Sequence, residues 1–385
     1  MKSECDIAII GGGIMGLSMA YQLSRAGVTN VVVLERGYMA EGASGRNGGG
    51  VRMQWSSESN VLLMRESIDL MRHFAQEIGV NVWLRQGGYL FLARSEAERE
   101  KMETNVALQN RCDVPTRMLS PEEARAIVPE LDLSGIVCAS YNPKDGTVFP
   151  WPFLWGYAHQ AMARGVEVRL HTGVDAIEPS ADGYLLATSK RETGERDTLR
   201  AKRVVNAAGS WSPEVARLVG LELPNRPHRH EILSTEPLKP FLAPMVSLLS
   251  SGLYFSQSMR GEIVTGISLE DHDDGSVKLG SRLGFLTKIA RELTQLVPRF
   301  AELEVLRQWA GPYDVTPDGQ PILGEPLPGF FLCCGFVGHG FMMAPVIGKR
   351  YAEWLSGKKK DPIFDRFTLD RFKSGKLEPE EMILG

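Results

Sequence analysis

The stretch from Cys5 to Arg36 constrains this chain more than any other. An apolar run, Ile7-Ala8-Ile9-Ile10, leads directly into Gly11-x-Gly13-x-x-Gly16. The residues that follow carry Leu17, Ala20, Leu23 and Ala26 at helical spacing. The pattern predicts a buried strand, a tight turn and a helix, with Gly27 ending the helix and Val31 to Leu34 forming a second parallel strand. A turn of this kind admits the pyrophosphate of a dinucleotide. Side chains at Gly11 or Gly13 would obstruct its approach to the backbone, and Gly16 lets the helix lie close on the strand. The first-turn amides of the helix, which have no partner within it, then face the phosphates, with the positive end of the helix dipole behind them. Glu35 closes the second strand roughly 20 residues after the last glycine, where a carboxylate can accept both hydroxyls of an adenosine ribose. A 2′-phosphate would meet that negative charge, so NADP is disfavoured. The choice between NAD and FAD is open at this point.

The next segment weighs on that choice. Ala40 to Trp55 contains five glycines in the run from Gly42 to Gly50, together with Ser44, Arg46, Asn47 and Arg52. Such a stretch is a poor helix or strand, because glycine loses the most backbone freedom on ordering. Its place directly after the ribose-binding strand favours a backbone wrapped around a flat ring system, and so FAD over NAD.

With 385 residues the chain is too long for one compact core and suits two interleaved domains. A net charge of −4 leaves no electrostatic footprint for nucleic acid. No apolar run approaches the ~18 residues of a membrane span, and the first strand begins too early to leave room for a signal peptide. The expectation is a cytoplasmic protein with no transmembrane segment. Five cysteines without a C-x-x-C pair read as reduced, buried thiols, and no metal site is expected.

Further along, a helix is expected over residues 59–79, a strand over 88–93, a charged helix over 96–110 and a short helix N-capped by Ser120. A strand over 137–141 follows, then a helix over 153–164 and a strand over 166–170. Val204-Val205-Asn206-Ala207-Ala208-Gly209-Ser210-Trp211 is a buried strand ending in small residues, so that the chain can pass beneath a cofactor. Short strands are expected at 231–234, 252–257 and 263–267, and a helix over 284–297. Finally, Phe330 to Cys334 runs into Gly335-Phe336-Val337-Gly338-His339-Gly340-Phe341. This second strand–glycine turn–helix unit aims a helix N-terminus at a polar ligand. In a flavoprotein that ligand is the pyrimidine edge, where reduction leaves negative charge. Lys358 to Lys360 read as a solvated turn.

On these motifs, with Trp309-Ala310-Gly311 and Thr316-Pro317-Asp318, the chain resembles the glycine oxidase/sarcosine oxidase superfamily, also called the D-amino-acid oxidase family. The likeness covers nearly its whole length. Gly88-Tyr-Leu-Phe-Leu, Val114-Pro-Thr-Arg, Pro121-Glu-Glu-Ala and Gly338-His-Gly-Phe-Met-Met-Ala-Pro look like the β subunit of heteromeric dye-linked L-proline dehydrogenase and the related sarcosine oxidase β subunit.

The resemblance implies an α/β chain of glutathione-reductase-2-like fold. Its Rossmann-type FAD-binding domain (1–88, 146–222 and 306–361) would be interleaved with an α+β substrate domain of mixed antiparallel sheet (89–145 and 223–305), followed by a tail (362–385). It implies oxidation of an amino acid's C–N bond by hydride transfer to flavin N5, and α and small partner subunits. The cofactor set it implies is Gly11, Gly13, Ile14, Met15, Gly16, Glu35, Arg36, Ser44, Arg46, Asn47, Gly48, Gly49, Arg52, Val174, Ala207, Ala208, Gly209, Trp211, Gly311, Gly338, His339, Gly340, Phe341 and Met342. Tyr254 and His339 match catalytic positions, and Arg46 and Arg52 are candidates for the flavin or a substrate carboxylate.

Some departures matter. Gly311 stands where monomeric sarcosine oxidases attach FAD to cysteine, which implies non-covalent FAD. Met342 and Val264 replace lysines that hold carboxylate and activate oxygen, which favours a dehydrogenase over an oxidase. The FMN-bearing histidine of heterotetrameric sarcosine oxidase falls near Pro150, so any FMN would sit non-covalently at a subunit boundary. A self-sufficient peroxide-forming oxidase and a non-catalytic flavin-holding assembly subunit stay open as alternatives.

Overall fold

The computed structural model describes residues 2–267, 269 and 276–383. Two eight-stranded sheets dominate it. The first has a parallel centre in the order Phe330–Cys334, Arg196–Asn206, Glu4–Ile10, Val31–Leu34, Glu167–Arg169. Ile322–Leu327 is added antiparallel at one edge. Ile10 sits in register with both Asn206 and Leu34, so the carboxyl ends of the central strands form one line. That line is where an open α/β sheet binds ligands.

Both faces of this sheet are covered, which is why its strands read as unbroken apolar runs. Ile7, Ile9, Val31 and Val33 pack with Leu17, Ala20 and Leu23 of the helix Ile14–Arg25 on one side. Ala8, Ile10, Val32 and Leu34 pack with Ile177, Leu186 and Leu199 on the other. The helix Gly340–Leu355 crosses Ile14–Arg25 closely: Ser18 Oγ donates to the Ala344 carbonyl at 2.8 Å, and a Cβ on Gly348 would stand 2.3 Å from that hydroxyl.

The second sheet runs Val305–Val315, Arg226–Pro237, Glu262–Ile267, Leu253–Gln257, Met245–Leu248, Tyr89–Ala93, Cys138–Asn142, Arg117–Leu119. It is antiparallel throughout except between Met245–Leu248 and Tyr89–Ala93. Two of its flanking helices start at full capping boxes, Ser95 with Glu98 and Ser120 with Glu123.

Several elements differ from expectation. The helix expected from residue 153 begins at Pro150, since proline is compatible with the first helical positions. Thr172–Ser180 and Gly183–Lys190, for which no strand was expected, form an antiparallel meander with Arg196–Asn206; burial is irregular along the first and alternates along the second. The glycine-rich segment is partly ordered: Ala43–Arg46 is one 3₁₀ turn, and Gly50–Val51 pairs with Gly146–Thr147. Residues 306–315, assigned to the cofactor domain, lie in the second sheet, because Val305–Val315 pairs along its length with Arg226–Pro237, from Arg226 opposite Val315 to Thr235 opposite Val305.

The segment set apart as a tail folds back over the molecule. Phe364 and Phe367 are buried, and Arg371 forms a buried bidentate pair with Asp318 at 2.7 and 2.9 Å. The chain then returns to bury Glu380 and Met382. Among the described residues no helix is long and apolar enough to cross a membrane.

Candidate active site

A cavity of about 800 Å³ runs from the carboxyl edge of the first sheet to the face of the second. At one end lies the first glycine turn. Gly11 has φ +119°, and a Cβ there would stand 2.3 Å from the Ala207 carbonyl oxygen. Its glycine is therefore demanded by the crossing of two chain segments before any ligand arrives, a steric reason that stands beside the phosphate-access argument for this position. Gly16 has the packing role expected of it, since its Cβ would fall 2.1 Å from the Gly11 carbonyl. Gly13 is free of backbone and meets only Ser44 Oγ, at 3.1 Å. Ser44 Oγ accepts from the Ile14 amide at 3.0 Å. The next amides, of Met15 and Gly16, have no partner within the helix by position.

Glu35 is locked by the backbone. Its Oε2 accepts from the Gly12 amide and its Oε1 from the Gly37 amide, both at 2.8 Å. Each oxygen has a second lone pair to offer, and Glu35 lines the cavity. Burial raises its pKa above the ordinary carboxylate value, against those two hydrogen bonds. Beside it, the Arg36 guanidinium lies 4.4 Å from the Trp211 ring centroid and 3.3 Å from Glu214. Val174, Ala207, Ala208 and Gly209 complete this end of the lining.

The middle is shaped by the 3₁₀ turn. Arg46 Nε donates to the Glu41 carbonyl at 2.9 Å and Nη1 to the Ala310 carbonyl at 3.2 Å. Trp309 Nε1 donates back to the Arg46 carbonyl at 2.9 Å. This clasp places Gly311 over the turn, where its Cβ would be 3.3 Å from Arg46 Cβ. Asn47 holds the loop itself: its Nδ2 donates to the Ser44 carbonyl at 2.5 Å, and its Oδ1 accepts from the Gly49 amide at 2.8 Å.

At the far end Gly338 has φ +80°, and a Cβ there would fall 2.3 Å from the Tyr313 ring. The helix Gly340–Leu355 begins here, with Gly340 and Phe341 on the cavity wall. Tyr254, Tyr313 and His230 gather opposite. His230 Nε2 is 2.8 Å from the Tyr254 hydroxyl, and its ring stacks on Tyr313 at 4.6 Å. Burial pushes His230 down to about 3, with His228 adding to the effect, so the imidazole is neutral. Burial pushes both phenols well up.

The match to known proteins follows this geometry. Residues 6–354 match the family model described as FAD dependent oxidoreductase, DAO. The chain belongs to this family. It is therefore an FAD-dependent oxidoreductase. The sarcosine oxidase subunit beta of Rhodobacter capsulatus is 30% identical over 390 residues, covering 100% of this chain and 92% of that one. The L-proline dehydrogenase from P. horikoshii superimposes with a TM-score of 0.91 at 32% identity, covering 98% of this chain and 100% of the other. The glycine oxidase from Geobacillus kaustophilus gives a TM-score of 0.88 at 26% identity, over 96% of this chain and 99% of that one.

For a DAO-family chain the cavity brings together most of the residues singled out in the sequence, but not all. Gly16, Gly49, Arg52, His339 and Met342 do not line it. Gly49, at φ +76°, packs on Val148, with which a Cβ would collide. Met342 faces the helical core, and its carbonyl accepts from Ser67 Oγ at 2.6 Å. The expected catalytic role of His339 meets a different arrangement. Its Nε2 lies 3.3 Å from Arg52 Nη2 and its ring stands edge-on to Trp55, while burial first and the Arg52 charge second hold the imidazole neutral. His339 therefore acts on Arg52 and not on the cavity.

His230, Tyr313 and Asp314 line the site without having been singled out as site residues. For His230, the strand pairing that sets it beside Tyr313 could be read only once the register was known.

Proposed function

We propose that this chain is the FAD-bearing β subunit of a heteromeric dehydrogenase, oxidising the C–N bond of a secondary or cyclic amino acid, L-proline-like or sarcosine-like. The observation that carries the reading is the single cavity joining Glu35 and the unpaired amides of the first helix to the Tyr254–His230–Tyr313 cluster beside the second helix N-terminus. The residues present fit FAD. Gly13 leaves room beside the first-turn amides for a pyrophosphate, and Glu35 offers lone pairs to a ribose. FAD, when bound, supplies the acceptor for the hydride that leaves the substrate α-carbon.

The protein's part is to hold that carbon in line and keep the substrate nitrogen uncharged. The phenols of Tyr254 and Tyr313 and the neutral His230 provide an uncharged, hydrogen-bonding wall in which an ammonium is poorly solvated. Arg52 is the cation that draws the substrate carboxylate in this reading, acting from behind the cavity wall that it does not itself line. It is 1% exposed and, among the described residues, makes no ion pair. The acids whose fields reach it, Glu380 and Asp145, spend their oxygens on other donors. A buried cation without a contacting anion is costly, and a substrate carboxylate relieves that cost.

FAD is held non-covalently. Gly311 offers no nucleophile, and Cys333, the cysteine on the cavity wall, has its thiol pKa pushed up by burial. A partner subunit, with FMN at the boundary, belongs beside Pro150, where Trp155 and Trp83 remain 45% and 36% exposed. The test is anaerobic titration of the purified flavoprotein with L-proline, sarcosine or an opine. Bleaching of the long-wavelength flavin band is the expected result. A band that none of them bleaches assigns the chain to flavin-holding assembly instead, and rapid peroxide formation in air identifies a self-sufficient oxidase.

A further inference from the structure

The segment after the last short helix, Arg371–Ser374, has no part in the cofactor cavity, yet it ends against the one buried guanidinium assigned to substrate. We infer that this strap belongs to the substrate site: Met382 is a positioning residue whose backbone carbonyl orients Arg52, and Glu380 is the anchor that holds Met382 in place. The inference rests on the carboxylate role given to Arg52 above.

Arg52 is steered from four sides. Its Nη1 donates to the Gln54 carbonyl and its Nη2 to the Met382 carbonyl; Nη2 also meets His339 Nε2 at 3.3 Å, and the guanidinium lies 4.0 Å from the Trp55 ring centroid. Three of these partners come from the chain around Arg52 or from the helix cap at His339. The fourth comes from 330 positions away. All are neutral, so they fix the direction of the fork without cancelling its charge, and the charge stays available for a carboxylate.

The anchor is built for permanence. Glu380 is 4% exposed. Its Oε1 accepts from the Ser56 amide at 2.9 Å, from the Ser56 hydroxyl, and from the Met382 amide at 3.0 Å. Its Oε2 accepts from Ser57 Oγ at 2.8 Å, the Ser57 amide at 3.2 Å and Asn60 Nδ2 at 2.9 Å. The Glu380 amide donates to the Asp318 carbonyl at 3.0 Å, and Asp318 is itself paired with Arg371. A carboxylate saturated by six donors at the start of the helix Glu58–Ile78 fixes its own backbone, and with it the carbonyl two residues on. The Met382 side chain then packs in the same apolar cluster as Tyr254, Tyr89 and Trp309, so the strap also backs the wall that faces the substrate.

The experiment is a double-mutant cycle on the FAD-loaded full chain. Its probe is pyrrole-2-carboxylate, an aromatic analogue of a cyclic amino acid with no α-hydrogen to give up, and its binding is read from the perturbation of the flavin spectrum. Glu380→Gln replaces one acceptor oxygen by a donor and is expected to weaken the probe about tenfold, the equivalent of about 1.4 kcal/mol. The flavin spectrum without probe should be unchanged. Arg52→Met is expected to weaken it at least as much, and the double variant no further than Arg52→Met alone, because the strap acts only through the guanidinium. Losses that multiply, or unchanged binding in Glu380→Gln, overturn the inference. Should Glu380→Gln not fold, Ser57→Ala removes a single donor and is expected to shift binding in the same direction, again only when Arg52 is present. If Arg52→Met leaves the probe's affinity intact, it is the carboxylate role of Arg52 that fails, and the two outcomes are thereby told apart.

Discussion

His230 Nε2 lies 2.8 Å from the Tyr254 hydroxyl, with the two rings inclined by only 23°. Nδ1 of the same imidazole is buried without a hydrogen-bond partner, so the bond to Tyr254 is the polar anchor this neutral ring has. Tyr254→Phe removes it and is expected to cost about 1–3 kcal/mol of stability, the price of stranding a buried polar group. Chemical denaturation of the holoenzyme measures the loss. Pairing Tyr254→Phe with His230→Leu should cost less than the two single losses added, since both partners are then apolar. Flavin reduction by substrate should slow in both variants.

Glu35 supplies a separate test at the other end of the cavity. Its carboxylate is held by two amides on the cavity lining, so Glu35→Ala is expected to weaken FAD retention by about 1.5–3 kcal/mol, the loss of a charge-assisted hydrogen bond. Equilibrium dialysis against FAD reads it directly. Unchanged affinity takes Glu35 out of the cofactor site.

Two glycines of one motif should fail in different ways. Gly11→Ala places a methyl against the Ala207 carbonyl at a φ of +119°, and neither backbone can yield cheaply. The cost is expected to exceed about 3 kcal/mol and to show as lost folding even without cofactor. Gly13→Ala meets only the Ser44 hydroxyl, at 3.1 Å, a contact that a small shift of that side chain relieves. That variant should fold with near-native circular dichroism and lose FAD.

Burial raises the Asp314 carboxyl to about 7, in spite of hydrogen bonds from the Gly335 amide and Asn225 Nδ2. Between the carboxylate's unfolded value near 4 and that raised value, the folded chain holds a proton the unfolded chain has released. Stability from this group is therefore full below about pH 4 and is lost as pH rises to about 7, at about 1.4 kcal/mol per pH unit. Asp314→Asn removes the titration. Relative to the parent, its unfolding free energy should improve steadily from pH 4 to 7 and hold level above that, whatever fixed offset the substitution brings. A difference that is flat across this window, or that runs the other way, contradicts the assigned direction.

Much of the first half of the site was legible because its causes are local. A buried strand, a turn that only glycine can make and a helix opening towards the strand ends occupy one short stretch, and the acid at Glu35 ends the very next strand. The second turn, around Gly338, is legible for the same reason. The substrate end was not. His230 sits in a strand whose pairing with Val305–Val315 decides that it meets Tyr313, and a one-residue slip would turn it to the opposite face. His339 and Arg52 were visible as residue types, but not that each would be the other's partner behind the wall. Residues 362–385 were set apart as a tail, and the burial of Glu380 and Met382 within them depends on one glutamate meeting Ser56, Ser57 and Asn60 across the chain.

The amino-acid sequence alone therefore determined the α/β class, the strand–turn–helix that faces a dinucleotide and the acid beside it, since steric limits on φ and the spacing of apolar side chains act within a few residues. Tertiary structure alone decided which histidine backs Tyr254, which glycine serves the chain and which leaves room for the ligand, and that Met382 reaches Arg52. Those outcomes depend on strand register and on contacts between segments hundreds of residues apart, and neither leaves a trace in local periodicity.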